Sequence, residues 1–127
     1  MSADTPRRGH DVRALLRALA EAEGVCGALL VAPDGLVIAS HLPESVSVEA
    51  LSALAATLGR ELELRAALPG HGPFVTARFA GETGTMILGA TAIGFVVVLA
   101  RAGADVTDDV RVAAAAIERA WRRPSLA

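Results

Sequence analysis

The side chains of this sequence that could perform chemistry are scattered, and none has the spacing of a catalytic or metal site. His10, His41 and His71 occupy separate segments, and none has a second ligand at the short spacing of a zinc motif. Ser40 precedes His41, but adjacent strand residues point to opposite faces, so the pair predicts a strand end and not a nucleophile with its base. Cys26 is the only cysteine, which excludes an internal disulfide and favours a small buried side chain. We therefore expect a non-enzymatic protein with no catalytic residue, metal or cofactor.

The charged residues also exclude several functions. All 12 basic residues are arginine, and the absence of lysine excludes a P-loop lysine and a Schiff-base lysine. A formal net charge of -2 gives no bulk electrostatic reason to bind nucleic acid. Glu61 and Glu63 lie about 200° apart on a helix, which indicates solvated charges instead of a carboxylate pair. Arg78 lies on the polar face of a predicted strand, where it can pair with a partner's anion, pair within the domain or remain solvated.

Length and composition indicate one domain. A chain of 127 residues can bury a sizeable core, and with 53% hydrophobic but only 3% aromatic residues this core is aliphatic. We expect a disordered lead over residues 1–10, a domain over 11–123 and a tail over 124–127. The polar N-terminus and the single cysteine favour the cytoplasm.

One uncharged stretch, residues 83–100, reaches the length of a membrane helix. Its three glycines and its threonine and β-branched residues favour two buried strands, with a reversal over residues 91–94. We therefore expect no stable membrane insertion.

The element pattern begins with an amphipathic helix from Asp11 to about Ala22. A hairpin over residues 26–40 follows, because Pro33, Asp34 and Gly35 supply the chemistry of a tight turn between two apolar runs. Residues 74–80 alternate as a half-buried edge strand, and residues 85–89 and 95–100 form two central strands. A last helix has Thr107 as its predicted N-cap and ends before Pro124.

The second helix, from Val48 to near Leu68, carries two apolar strips. The wider strip consists of Val48, Leu51, Leu54, Ala55, Leu58 and Leu62. The narrower strip, Ser52, Ala56 and Gly59, is small enough to let another helix approach closely, although it is equally consistent with a weak part of a surface helix. Leu64 falls about 220° from Leu51, on the polar side, where it indicates contact with another chain.

These elements give an α+β fold within the broad α/β class, in the order α-β-β-α-β-β-β-α, with five antiparallel strands and helices on both faces of one sheet. In order and spacing, the segments GVCGALLVAPDGLVIAS, VEALSALAATLGRELEL and FVVVLARAGADV resemble the roadblock / dynein light chain family, particularly its bacterial members. The resemblance covers residues 11–121 and implies the strand order 2-1-5-4-3.

The resemblance also implies a homodimer that joins third strands and second helices into a ten-stranded sheet. On this analogy the dimer interface contains Ser52, Ala56, Gly59, Phe74, Thr76 and Arg78. Bacterial members resemble regulators of Ras-like small GTPases, in which the paired second helices face the GTPase. The corresponding partner contacts are Ala53, Thr57, Arg60, Glu61 and Leu64. Both stimulation of GTP hydrolysis and simple scaffolding are open roles in bacterial signalling.

Two other classes of function stay open at this point. A ligand-sensing module that binds a small molecule or peptide is the main alternative, because profilin, PAS and longin sheets hold such ligands. An enzyme is the least supported class, since no acid-base, nucleophilic or metal arrangement is present in the sequence.

Overall fold

A computed structural model describes residues 4–66 and 69–122 of the chain. Its elements are α1 (Asp4–Ala20), β1 (Val25–Val31), β2 (Val37–His41), α2 (Val48–Arg65), β3 (Thr76–Ala80), β4 (Gly84–Thr91), β5 (Gly94–Arg101) and α3 (Thr107–Arg122). The strands form one antiparallel sheet in the order β2-β1-β5-β4-β3. The predicted element order, strand order and fold class are confirmed.

The central strands are buried on both faces because a helical layer packs against each face. On β5, Val96 and Val98 contribute to a core shared with α1 and α3, whereas Phe95 and Val97 contribute to a second core beneath α2. This alternation is the two-residue period of a strand. It leaves α2 alone on one face, with α1 and α3 on the other.

The first helix is longer than predicted at its N-terminus. It begins at Asp4, so residues 4–10 are helical and not the disordered lead that we expected. Pro6 falls in the first turn, where its missing N–H costs no intrahelical hydrogen bond, so it does not stop the helix. The helix ends at Ala20, two residues before the predicted end, and residues 1–3 and 123–127 lie outside the described part.

The predicted hairpin is confirmed, and its turn is held by three short-range hydrogen bonds. Gly35 N–H donates to Ala32 O at 2.9 Å, Ala32 N–H donates to Leu36 O at 2.8 Å, and Leu36 N–H donates to Asp34 Oδ1 at 3.1 Å. Gly35 has a φ of 94°, which a residue with a Cβ rarely adopts. The turn is therefore rigidly defined by local chemistry.

The uncharged segment forms the β4–β5 hairpin, as expected. Its turn is closed by Thr91, whose Oγ1 donates to Gly94 O at 2.9 Å and accepts from Ile93 N–H at 3.2 Å. Among the described residues no helix has the length and apolarity to cross a membrane.

The third helix is capped by a residue other than the one predicted. Asp105 Oδ1 accepts from Thr107 N–H at 3.0 Å and from Thr107 Oγ1 at 2.6 Å. Thr107 is thus the first helical residue and a donor to the cap instead of the cap itself. Asp105 satisfies one of the N–H groups that a helix start leaves free.

Candidate protein-interaction surface

The outer edge of β3 carries backbone groups without partners among the described residues. Val75 O accepts from Ala90 N–H at 2.9 Å, and Gly81 N–H donates to Gly84 O at 2.8 Å, so odd-numbered residues bond inward to β4. Residues that bond inward and outward alternate in an antiparallel ladder. The residues whose N–H and C=O groups face the open edge are Thr76, Arg78 and Ala80.

Arg78 lies near a carboxylate of its own domain. Its Nε is 3.9 Å from Asp105 Oδ1, and both side chains are largely exposed. The two hydrogen bonds from Thr107 to Asp105, and to a smaller extent the charge of Arg78, lower the pKa of Asp105. The Arg78 side chain therefore has an intradomain partner at long range, while its backbone remains available at the edge.

The predicted alternation along this segment holds only from residue 76 onward. Ala77 and Phe79 pair with Leu88 and Met86, which lie on the α2 side of the sheet. Phe74 also packs on that side, with its ring 6.4 Å from the ring of Phe95, although it has the parity of Thr76. Because the strand begins only at Thr76, the side chains of the residues before it need not alternate between the two faces of the sheet.

The small-residue strip of α2 faces inward, contrary to the expectation that it contacts another helix. A Cβ on Gly59 would lie 2.5 Å from Cε2 and Cζ of Phe95, so Gly59 allows α2 to approach its own sheet. Ser52 and Ala56 are 5% and 2% exposed within the single chain. They also border a groove lined by Leu36 and other residues near β2. This strip therefore serves packing within the domain.

The outer face of α2 carries the residues expected to contact a partner. Leu64 is 70% exposed, and Ala53 and Thr57 are also exposed. Arg60 is exposed but donates through Nη1 to Pro33 O, which ties α2 to the β1–β2 turn. Glu61 Oε1 accepts from Arg65 Nε at 2.8 Å, and this hydrogen bond and its charge raise the pKa of Arg65. All five predicted contacts thus lie on the surface opposite the sheet.

One flank of α2 is more apolar on the surface than the sequence pattern predicts. Leu54, which we expected in the buried stripe, is 49% exposed, and Leu58 is only partly buried. Because Ser52 borders the groove near β2, the opposite flank with Leu54 and Leu58 is turned toward the β3 side of the sheet. Hydrophobic periodicity could not predict which residues lie in the middle of the buried face of α2, because small residues make up about half of that face.

The residues considered for chemistry do not converge. Ser40 is exposed at the end of β2, His41 is partly buried beside it, and His10 and His71 are exposed elsewhere. Cys26 is exposed and not buried as expected, because the register of β1 and β5 shifts between Val25 and Gly27. Such a bulge displaces the extra residue from the strand's alternation.

Comparison with known proteins gives both sequence and structural relatives. The model of the Roadblock/LC7 domain matches residues 11–61. Two uncharacterized proteins of Methanocaldococcus jannaschii are 38% identical over 85 residues, which cover 67% of this chain and 75% of each relative.

The structural neighbours include Myxococcus xanthus MglB, with a TM-score of 0.79, 16% identity and 87% of each chain covered. The gliding protein MglB of Thermus thermophilus has a TM-score of 0.78 and 19% identity, covering 92% of this chain and 93% of that chain. A structure described as MglB with tetrameric arrangement has a TM-score of 0.72 and 20% identity, covering 94% and 91%. Together with the strand order and the sequence matches, these findings show that the chain belongs to the Roadblock/LC7 family.

Proposed function

We propose that the chain is a non-enzymatic, homodimeric regulator or scaffold for a Ras-like small GTPase, acting in the cytoplasm. The observation that carries the proposal is the open edge of β3 next to the exposed apolar flank of α2. When two copies join these edges, the outward N–H and C=O groups of both strands are hydrogen-bonded. The unpaired edge, at which other chains could add and aggregate, is then covered. The partner class comes from the resemblance to bacterial family members that regulate such GTPases.

The surroundings of the two sheet edges favour β3 over β2 as the seam of the dimer. Beside β3, Phe79 is 39% exposed, and Leu54 is 49% exposed on the adjoining flank of α2. Beside β2, Leu36 is exposed in the turn, but Ile38 and Ala39 already pack on the core shared with α1. A contact at the β3 edge therefore removes apolar side chains of both the strand and the adjoining helix from water.

In this dimer the two α2 helices lie side by side on one face of the joined sheet. Phe74, Thr76 and Arg78 stay in our proposed interface through the β3 segment, whereas the inward-facing Ser52, Ala56 and Gly59 leave it. The outer face of α2, centred on Thr57 and Leu64, contacts the GTPase. By analogy with the bacterial family members, the proposed mechanism is a change in the position of the GTPase's own residues, without an arginine supplied by this chain.

The partner contact is tested with a purified Ras-like GTPase from the same genome, loaded with GDP or with a non-hydrolysable GTP analogue. Leu64→Glu places a charge in the proposed contact and is expected to weaken binding by about tenfold or more. Val112→Glu is the matched control, because Val112 is 52% exposed on α3, on the opposite face of the sheet. Equal binding by both variants, in either nucleotide state, contradicts the assignment of α2.

A further inference from the structure

A second surface with a distinct character lies on the face of the sheet opposite α2. A groove of about 770 Å³ runs along α3 from Arg111 to Arg122, beside the start of β3 and the end of β4. We call it the arginine groove, and it is lined by Val75, Ala90, Arg111, Ala114, Ala115, Glu118, Arg119 and Arg122. Three arginines and one glutamate line it, in a chain with a net charge of -2.

The glutamate in the arginine groove is already engaged. Glu118 Oε1 accepts from Ala92 N–H at 2.8 Å, and Glu118 Oε2 lies 3.6 Å from Arg122 Nη2. This carboxylate therefore fixes α3 to the β4–β5 turn and holds Arg122 beside the groove. It does not neutralise the other two arginines.

Arg111 and Arg119 have N–H donors without a partner among the described residues. Arg119 is exposed and makes no ion pair within the part of the chain that the structure describes. Arg111 uses Nε and Nη2 for Asp108, at 3.0 and 2.6 Å, which leaves its Nη1 without a partner among the described residues. A guanidinium has five N–H donors and binds carboxylates in a planar, bidentate manner. The groove thus offers several unused donors for carboxylates.

The floor and the length of the groove restrict what can bind. Ala114 and Ala115 leave space on α3, and Val75 supplies an exposed apolar wall. From Arg111 to Arg122 the helix rises about 16 Å, which is about the length of five extended residues. Exposed Asp108 and Asp109 bound the positive surface at the N-terminal end, where a longer polyanion would meet repulsion.

We propose that the arginine groove binds a short acidic peptide segment of a partner protein, with an apolar residue at its centre. The carboxylates contact Arg111, Arg119 and Arg122, and the apolar side chain rests on the alanine floor beside Val75. Because α2 lies on the other face of the sheet, this segment and the proposed GTPase can bind at the same time.

The proposal is tested by fluorescence anisotropy at low salt, with fluorescein-labelled peptides of sequence EELEE and QQLQQ. We expect EELEE to bind about tenfold more tightly than QQLQQ. The substitution Arg119→Glu is expected to weaken the binding of EELEE by about tenfold or more, because a hydrogen bond between charged groups is lost. Arg13→Glu, an exposed residue of α1, makes the same charge change outside the groove and is expected to change binding less than about twofold.

The location is checked by methyl NMR of the full chain. Added EELEE is expected to shift the methyl resonances of Val75 and Ala115 and to leave those of Leu64 unchanged. Equal binding of the two peptides, equal losses in the two variants, or shifts confined to α2 would overturn the proposal. Tighter, Arg119-dependent binding of a ten-nucleotide single strand would also overturn it, because the surface would then select a nucleic acid.

Discussion

At Gly59 the backbone of α2 lies directly against an aromatic ring of the sheet. Phe95 is 1% exposed and is held by β1 and β4 on either side, so the ring cannot move aside freely. A side chain at position 59 would therefore overpack the α2-side core. The glycine is explained by packing within one chain and needs no second helix.

Gly59→Ala is expected to lower the free energy of unfolding by about 1–2 kcal/mol. Overpacking costs about 1–3 kcal/mol, and the better helix propensity of alanine returns up to about 1 kcal/mol. In a Phe95→Leu background, where the ring is absent, the same change is expected to cost less, with a coupling above about 0.5 kcal/mol. Urea unfolding at one protein concentration measures the cycle, and purely additive losses would contradict the contact.

Asp105 gives the domain a defined dependence on pH. Because its pKa is lower in the folded chain than in the unfolded one, its stabilising effect is complete above the unfolded value of about 3.8. The effect is lost as pH falls through the lower folded value, since protonation weakens the hydrogen bonds from Thr107.

Asp105→Asn is therefore expected to lower the melting temperature at pH 7 by more than it does at pH 3. Asp109→Asn, in the first turn of the same helix, removes an equal charge without the two hydrogen bonds from Thr107 and serves as the control. A difference between wild type and Asp105→Asn that grows toward acid pH would contradict this cap.

Individual side chains were predictable where local chemistry determines them. Asp34 and Gly35 form the expected turn because the required φ and the side-chain hydrogen bond are properties of those residue types. Cys26 and Gly59 were not predictable in the same way. The environment of each depends on a residue more than 30 positions away in sequence, Leu99 or Ala100 across the β-bulge and Phe95 beneath α2.

At the scale of elements, β3 is the strand whose pairing is incomplete. The substitution Thr76→Pro removes an N–H that faces the open edge, and it leaves the inward bonds of Val75 and Ala77 to β4 in place. The variant therefore separates pairing between chains from pairing within the chain.

Thr76→Pro is expected to raise the dissociation constant of the dimer about tenfold or more, as measured by sedimentation velocity. Ser40→Pro is the matched control on β2, the other edge strand of the sheet. If Ser40→Pro dissociates the protein and Thr76→Pro does not, the seam lies at β2 instead.

The elements themselves were largely predictable, because long periodic segments bounded by turn residues have few alternatives. Their ends were less so. The first helix extends to Asp4 because a proline is tolerated in a first turn, and the β3 segment loses its alternation before Thr76. Neither effect is visible in hydrophobic periodicity.

For the whole molecule, one sheet separates two surfaces of different character. The α2 face presents exposed leucines and a neighbouring open strand, and the α3 face presents arginines above small side chains. The architecture was predictable from the sequence, because the order of elements and the burial of β4 and β5 are compatible with few arrangements of strands in a sheet. The surface that faces a partner was not predictable, since it depends on the rotation of each helix about its own axis against the sheet.

The central claim is that two copies join their β3 edges, and the most direct measurement is the molar mass of the wild-type chain by light scattering at micromolar concentration. The expected result for the dimer is a mass of twice 13.0 kDa. A mass of 13.0 kDa at every concentration in this range would contradict the proposed dimer and the paired α2 surface that depends on it.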